Sequence, residues 1–320
     1  MPPPPSMAKG DEVGGWIRET LRIARERAGH FLPMVVLLVI PLSVSQGMFT
    51  YMATRDAPIV MNLDTGEVAA NLPDDFRLWA VLAAVSAVLS LAAGLVFGPA
   101  VARQVNSVAC DAPETWDVST IGAIRRLGRQ LIVAAIGVGV MLASGLSLYG
   151  AFTLAPTLLV LIVPALLVFY VWFVIRFSLV SSAAAISVSG EPWLAPAVAL
   201  TNGRMWMLSG RLALLGAISI LVSMAAGLVA FPFTMTDIET KPGEVILWDV
   251  SHLHPAQYAI AQVLSALASG VTVVIAMTGI TLLVRSLGGN VETIAAHDQG
   301  SVSPGAVASP DSASFDSFEP

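Results

Sequence analysis

The sequence predicts an all-α polytopic membrane protein: six transmembrane helices in three hairpins, with amphipathic interfacial helices on the cytoplasmic side. Three observations predict it. Of 320 residues, 56% are hydrophobic and 12% charged, about half the charge of a soluble domain. Five runs carry no Asp, Glu, Lys or Arg: 31–54, 78–102, 130–175, 212–236 and 250–284. Each can hold a span of roughly 20 apolar residues. Finally, Lys and Arg gather in alternate segments between those runs. Apolar stretches such as 34–40 and 158–169 do not alternate apolar and polar, so helices are expected and barrel strands are not.

Residues 1–14 are Pro-rich and polar and are expected to be a disordered tail, ahead of a membrane domain over 15–287. The segment 17–32, IRETLRIARERAGHFL, reads as an amphipathic basic helix at the interface. Trp16, Ile17, Leu21 and Ala24 are expected on one face, with Arg18, Arg22, Arg25 and Glu26 elsewhere. The first span, 32–51, reads as a signal anchor, because no small-residue cleavage site follows Ser45. Pro33 and Pro41 are expected to bend it.

The second span, 79–101, carries Ser86, Ser90, Gly94 and Gly98 every fourth residue. Such rows let helix backbones approach closely. The segment 119–132 is the second basic entry, with Asp117 or Ser119 as its cap, an apolar stripe of Ile121, Ile124 and Leu127, and Arg125, Arg126 and Arg129. The long third run breaks near Gly145, Tyr149, Gly150 and Pro156, giving spans at 131–149 and 156–176, the latter containing Pro164. Ala135, Gly139 and Ala143 form a second row of small residues, expected to pack within the chain or against a second copy. The third entry, 197–214, holds Arg204, Trp206 and Met207; it leads to spans at 212–233, with Ser219, Ser223 and Gly227, and 259–283. Residues 288–320 hold too little apolar content to fold.

Each entry has Arg residues and a Gly before its span: Gly29, Gly128 and Gly210. The return spans reach Arg103, Arg176 and Arg285. The chain therefore reads as three similar hairpins. Thirteen of the 16 basic residues fall on one side, with Arg55, Arg77 and Lys241 on the other, which places both termini in the cytoplasm. Nine acids in the first and third outer loops make those loops net acidic.

Little in the chain points to chemistry. Asp64-Thr65-Gly66 matches half of an aspartic-protease pair, but that reaction needs two carboxylates sharing a proton. It reads as the turn of a hairpin between 59–61 and 67–68. A short strand at 244–248 is expected to pair with that hairpin as an outer cap. Asp249, His252 and His254 are candidate metal ligands in the third outer loop. The single Cys110 cannot form an intrachain disulfide. No phosphate loop, dinucleotide fingerprint or nucleophile elbow occurs, and no acid lies within a span, as coupled transport would require.

Residues 176–221 read RFSLVSSAAAISVSGEPWLAPAVALTNGRMWMLSGRLALLGAISIL. This stretch resembles the membrane domain attached to some glycerophosphodiester phosphodiesterases and its standalone relatives. The resemblance implies a six-helix membrane domain over residues 15–290. It does not imply the phosphodiesterase activity, which belongs to a separate soluble barrel in that family.

The expected function is a membrane scaffold or accessory protein of a bacterial inner membrane, without catalysis or cofactor. Its membrane-interface residues would be Trp16, Arg18, Arg22, Arg25, Arg125, Arg126, Arg129, Arg204 and Trp206. Its expected partners are the lipid bilayer and a membrane protein or a second copy, with no nucleic acid. The alternatives are a permease for lipid or a small solute, and a membrane enzyme with an outer-loop metal.

Overall fold

The structure is a computed structural model that describes residues 13–55, 59–62, 68–70, 75–110, 112–154, 157, 159–187, 192–231, 244–248 and 253–287, the strands by their backbone alone. Helix α1 (Val13–Glu26) leads through Arg27 into α2 (Ala28–Met34), a π-helical turn (Val35–Val39) and α3 (Ile40–Thr54). Strands β1 (Ile59–Asn62) and β2 (Val68–Ala70) precede α4 (Phe76–Ala109). The second hairpin comprises α5 (Trp116–Arg125), α6 (Leu127–Leu154) and α7 (Leu159–Ile186). The third comprises α8 (Leu194–Ala199), α9 (Met205–Ala230), β3 (Glu244–Trp248) and α10 (Pro255–Ser286).

Among the described residues, six helical segments are long and apolar enough to cross a membrane: Ala28–Thr54, Phe76–Ala109, Leu127–Thr153, Leu159–Ile186, Met205–Ala230 and Pro255–Ser286. The chain is therefore an all-α polytopic membrane protein. Consecutive spans pack as pairs, α3 on α4, α6 on α7 and α9 on α10.

The first span crosses its two prolines by changing its hydrogen-bond ladder. Pro33 lies within α2 and Pro41 at the start of α3, with the π turn between them. Proline donates no backbone N–H, and the wider π turn accommodates the lost bonds without ending the helix. α7 continues through Pro164.

The return helices overrun the expected spans. α4 continues six residues past Arg103 and α7 ten past Arg176. A charge ends an apolar run but does not break a helix; here the helices stop only ahead of Pro113 and of Gly190-Glu191-Pro192. The 34 residues of α4 span about 51 Å at ~1.5 Å each, against a hydrocarbon core of about 30 Å. The surplus projects from the end of the bundle that carries the Arg residues, called the basic end below.

The core sits at that end. Phe97 to Ser107 of α4 are all buried, with Leu179, Val180 and Ala183 to Ile186 of α7, Leu208 and Leu215 of α9, and Thr278, Gly279 and Thr281 to Val284 of α10. α10 is the central helix: half of its most apolar window is buried, against 6–17% in the other five spans. Two of its glycines admit close neighbours. A Cβ on Gly270 would stand 2.7 Å from Val35 Cγ1, and one on Gly279 3.0 Å from the Trp16 ring.

At the opposite end, β1 pairs antiparallel with both β2 and β3, in the order β2-β1-β3. The sheet joins the loop of the first hairpin to that of the third. It matches the expected cap; the Asp64-Thr65-Gly66 turn lies outside the described residues. Below it, Tyr51 Oη donates to the Leu253 carbonyl at 2.7 Å and its ring meets Tyr258 at 5.0 Å.

The rows of small residues divide. Ser86 is buried and donates to the Leu42 carbonyl, and Gly98 lies on Met277. Ser90 is half-buried. Gly94, Ala135, Gly139 and Ala143 are exposed, so the expectation that they pack within the chain is corrected. The second hairpin meets the rest of the bundle chiefly through the basic end of α7, which leaves this face of α6 uncovered.

Candidate functional site

The basic end is the most highly organised part of the molecule and holds most of the expected site residues. Its plan follows from the three entry helices. α5 lies on α4 and α8 on α7, each against the return helix of the preceding hairpin. α1 has no preceding hairpin and lies on α10, the last return helix. The three hairpins are thereby closed into a ring.

Of the three entry helices, α1 buries the most residues, three against two in α5 and one in α8. The inward row of α1 is Trp16, Thr20 and Ile23, four and three residues apart as a helix face requires. Trp16 Nε1 donates to the Gly279 carbonyl at 3.1 Å, and its ring lies 5.6 Å from the buried guanidinium of Arg211. Trp16 is 4% exposed, which corrects its assignment to the headgroup zone. The expected apolar face was also rotated: Leu21 is exposed and Thr20 fully buried. Thr20 tolerates burial because its hydroxyl donates to the Trp16 carbonyl at 2.9 Å.

In the second entry, Ser119 and Ala123 face inward, while Ile121 and Ile124 are exposed with Val118. Ser119 does not cap α5. It lies inside the helix and donates to Glu114 Oε2 at 2.8 Å. Glu114 Oε1 pairs with the buried Arg103 at 2.8 Å, and that guanidinium lies across Gly122. The N-cap position is Thr115. The hydrogen bond from the Thr115 side chain, then the backbone N–H groups of Asp117 and Val118, hold the Asp117 carboxyl below the usual range.

The third entry is not one amphipathic helix. α8 ends at Ala199, and Gly203 turns the chain at φ 71°, a conformation glycine adopts at low cost. Trp206 and Met207 therefore belong to α9, and Trp206 is 91% exposed. Arg176 reaches back to Thr201 Oγ1 at 3.1 Å and to Asn202 Oδ1.

The remaining arginines close the helix ends. Arg285 donates to Asn106 Oδ1 at 2.7 Å and to the Ala109 carbonyl at 3.0 Å, at the end of α4; Cys110 Sγ accepts from it at 3.1 Å. Arg126 donates to the Ala185 carbonyl at 2.8 Å and Arg129 to Ser187 Oγ at 2.7 Å, at the end of α7. Arg204 donates to the Leu287 carbonyl at 3.4 Å, at the end of α10. The last carbonyls of a helix lack intrahelical partners and carry partial negative charge, so a guanidinium satisfies both needs. All three return helices receive one.

What faces outward is a smaller set. Arg18, Arg22, Arg25 and Arg125 are exposed, with Val118, Ile121, Ile124 and Leu21 among them. Arg22 bonds Glu19 at 2.8 Å and Glu26 at 2.6 Å. These bonds hold the Glu19 carboxyl below its usual range and push the Arg22 guanidinium further up.

Two residues were missed that the sequence does signal: Trp116 and Trp193 stand at the start of their entry helices, as Trp16 stands in the first turn of α1. Trp116 and Trp193 both pack partly buried against the same core. Of the candidate metal ligands, Asp249 and His252 lie outside the described residues. His254 Nδ1 accepts from the Ala256 N–H at 3.3 Å, and Gln257 Oε1 accepts from the His254 N–H at 3.2 Å, a capping box at the start of α10. Among the described residues no three His, Cys, Asp or Glu converge. No family model, curated protein or solved structure matches the chain.

Proposed function

We propose that the protein is a non-catalytic scaffold or accessory component of a bacterial inner membrane, with both termini in the cytoplasm and the sheet outside. One observation carries this reading. Most arginines at the basic end are engaged by helix termini and carboxylates, leaving a braced platform whose outward face is the apolar row of Val118, Ile121 and Ile124 beside Arg125. Such a face suits the headgroup zone and a membrane-protein partner or second copy seated there. The resemblance of residues 176–221 to a membrane domain that accompanies enzymes agrees with an accessory role. A photoreactive residue at Ile121 tests it in cells. A discrete protein adduct supports the scaffold reading, and recovery of the uncrosslinked chain alone overturns it.

A permease for lipid or a small solute is the second reading. In its favour stands a cleft between α9 and α10, lined by small and polar side chains within the spans.

A further inference from the structure

In the half of the bundle nearer the sheet, α9 and α10 part to leave a cleft of about 330 Å³. Its walls include Ser223 and Gly227 of α9 with Gln262, Ser265 and Ser269 of α10; the rest are alanines. No lining residue is ionisable. The volume is about eleven times the ~30 Å³ share of one water and falls in the range of small-ligand sites.

The serines here differ from most hydroxyls in the spans; Ser90 and Thr272 also lack a partner, but their oxygens are buried and lie outside the cleft lining. Thr50, Thr54, Ser144, Ser147, Ser219 and Thr278 each donate to the carbonyl four residues earlier, at 2.7–2.9 Å. Ser223, Ser265 and Ser269 make no hydrogen bond to another residue, and all three are exposed along the cleft. Ser265 and Ser269 lie ten and fourteen residues into α10, about 15 and 21 Å along it at ~1.5 Å per residue. At that depth the surroundings offer no bulk water, and a hydroxyl without a partner is costly.

We propose that the cleft binds the glycerol–ester part of an uncharged lipid of the diacylglycerol class, whose chains lie outside along α9 and α10. The serine hydroxyls would meet its hydroxyl and ester oxygens, while the Gln262 carboxamide is held against Gly47 and Tyr258. A phospholipid fits less well, because its charged headgroup would enter a span with no countercharge. This proposal stands apart from the scaffold reading, and neither fails with the other.

The test uses the full chain in phosphatidylcholine nanodiscs with a diazirine-bearing diacylglycerol. Labelling is expected on peptides of α9 and α10, displaced by dioleoylglycerol and not by dioleoylphosphatidylglycerol. Ser265→Ala with Ser269→Ala should weaken it about tenfold, as loss of two hydrogen bonds implies. Gly227→Leu should abolish it; that glycine has no neighbour within 4 Å of an added Cβ, so the larger side chain fills open space. Should Gly227→Leu misfold, the double serine variant, which removes only two oxygens, carries the test. Label spread over all six spans, equal displacement by both lipids, or wild-type labelling of the double serine variant would overturn the proposal.

Discussion

Arg285 shows how a single side chain fixes two helices. It belongs to α10, yet its guanidinium bonds Asn106, Ala109 and Cys110 at the end of α4. Replacing it by Met should destabilise the protein by about 2 kcal/mol, the scale of losing hydrogen bonds to a charged donor. Arg285→Lys should recover less than half of that, because an ammonium lacks the planar fork. Thermal unfolding in detergent reads both, and a wild-type midpoint for Arg285→Met would show that the cap contributes nothing.

The Glu19–Arg22 contact makes a smaller, pH-dependent contribution. The folded carboxyl is held below its ordinary value of 4.5, so the unfolded chain takes up a proton more readily. The contribution is therefore present above that value and lost as pH falls through the folded one. For so exposed a pair it should stay below about 1 kcal/mol. Glu19→Gln should remove that part of the acid sensitivity; an unchanged slope of midpoint against pH below 5, taken as roughly the start of carboxylate titration, would contradict the assignment.

At the scale of elements, glycines separate packed helix faces from open ones. Gly270→Ala forces a methyl onto Val35 in the π turn and should cost about 1–3 kcal/mol, as overpacking does. Gly139→Ala enters open space on α6 and should be neutral or stabilising by up to about 1 kcal/mol. Equal midpoints for the two variants would mean that α10 does not pack on the first span as described.

The same scale shows what was legible. The spans could be read because hydrocarbon excludes charge, and a charge-free run is a one-dimensional signal. Helix ends could not, since Arg103 and Arg176 end the runs while their helices continue into a part of the protein that other helices bury. The inward face of α1 was misread because Thr20, polar by composition, satisfies its own hydroxyl and enters the core. Which carbonyls each arginine meets depends on contacts across up to 179 residues, and no local pattern encodes that. The three entry tryptophans, by contrast, were visible in the sequence as a repeat.

For the whole molecule, the arrangement at the basic end decides how three hairpins become one domain. Had each entry helix packed on its own hairpin, the hairpins would be independent units joined by linkers. Instead α5 and α8 lie back on the hairpin before them, and α1 closes the ring on α10. This explains why the core and the arginine caps lie together at one end while the second hairpin stands largely free elsewhere. It also explains why the two ends of the membrane domain are tied through Trp16 and Gly279, 263 residues apart.

That closing contact can be measured in native membranes. In a Cys110→Ser background, cysteines at Trp16 and Gly279 should be joined by a short thiol-reactive crosslinker, giving a compact, faster-migrating species. Cysteines at Trp16 and Gly98, which would pair α1 with its own hairpin, should not. Efficient crosslinking to Gly98 with none to Gly279 would contradict the ring.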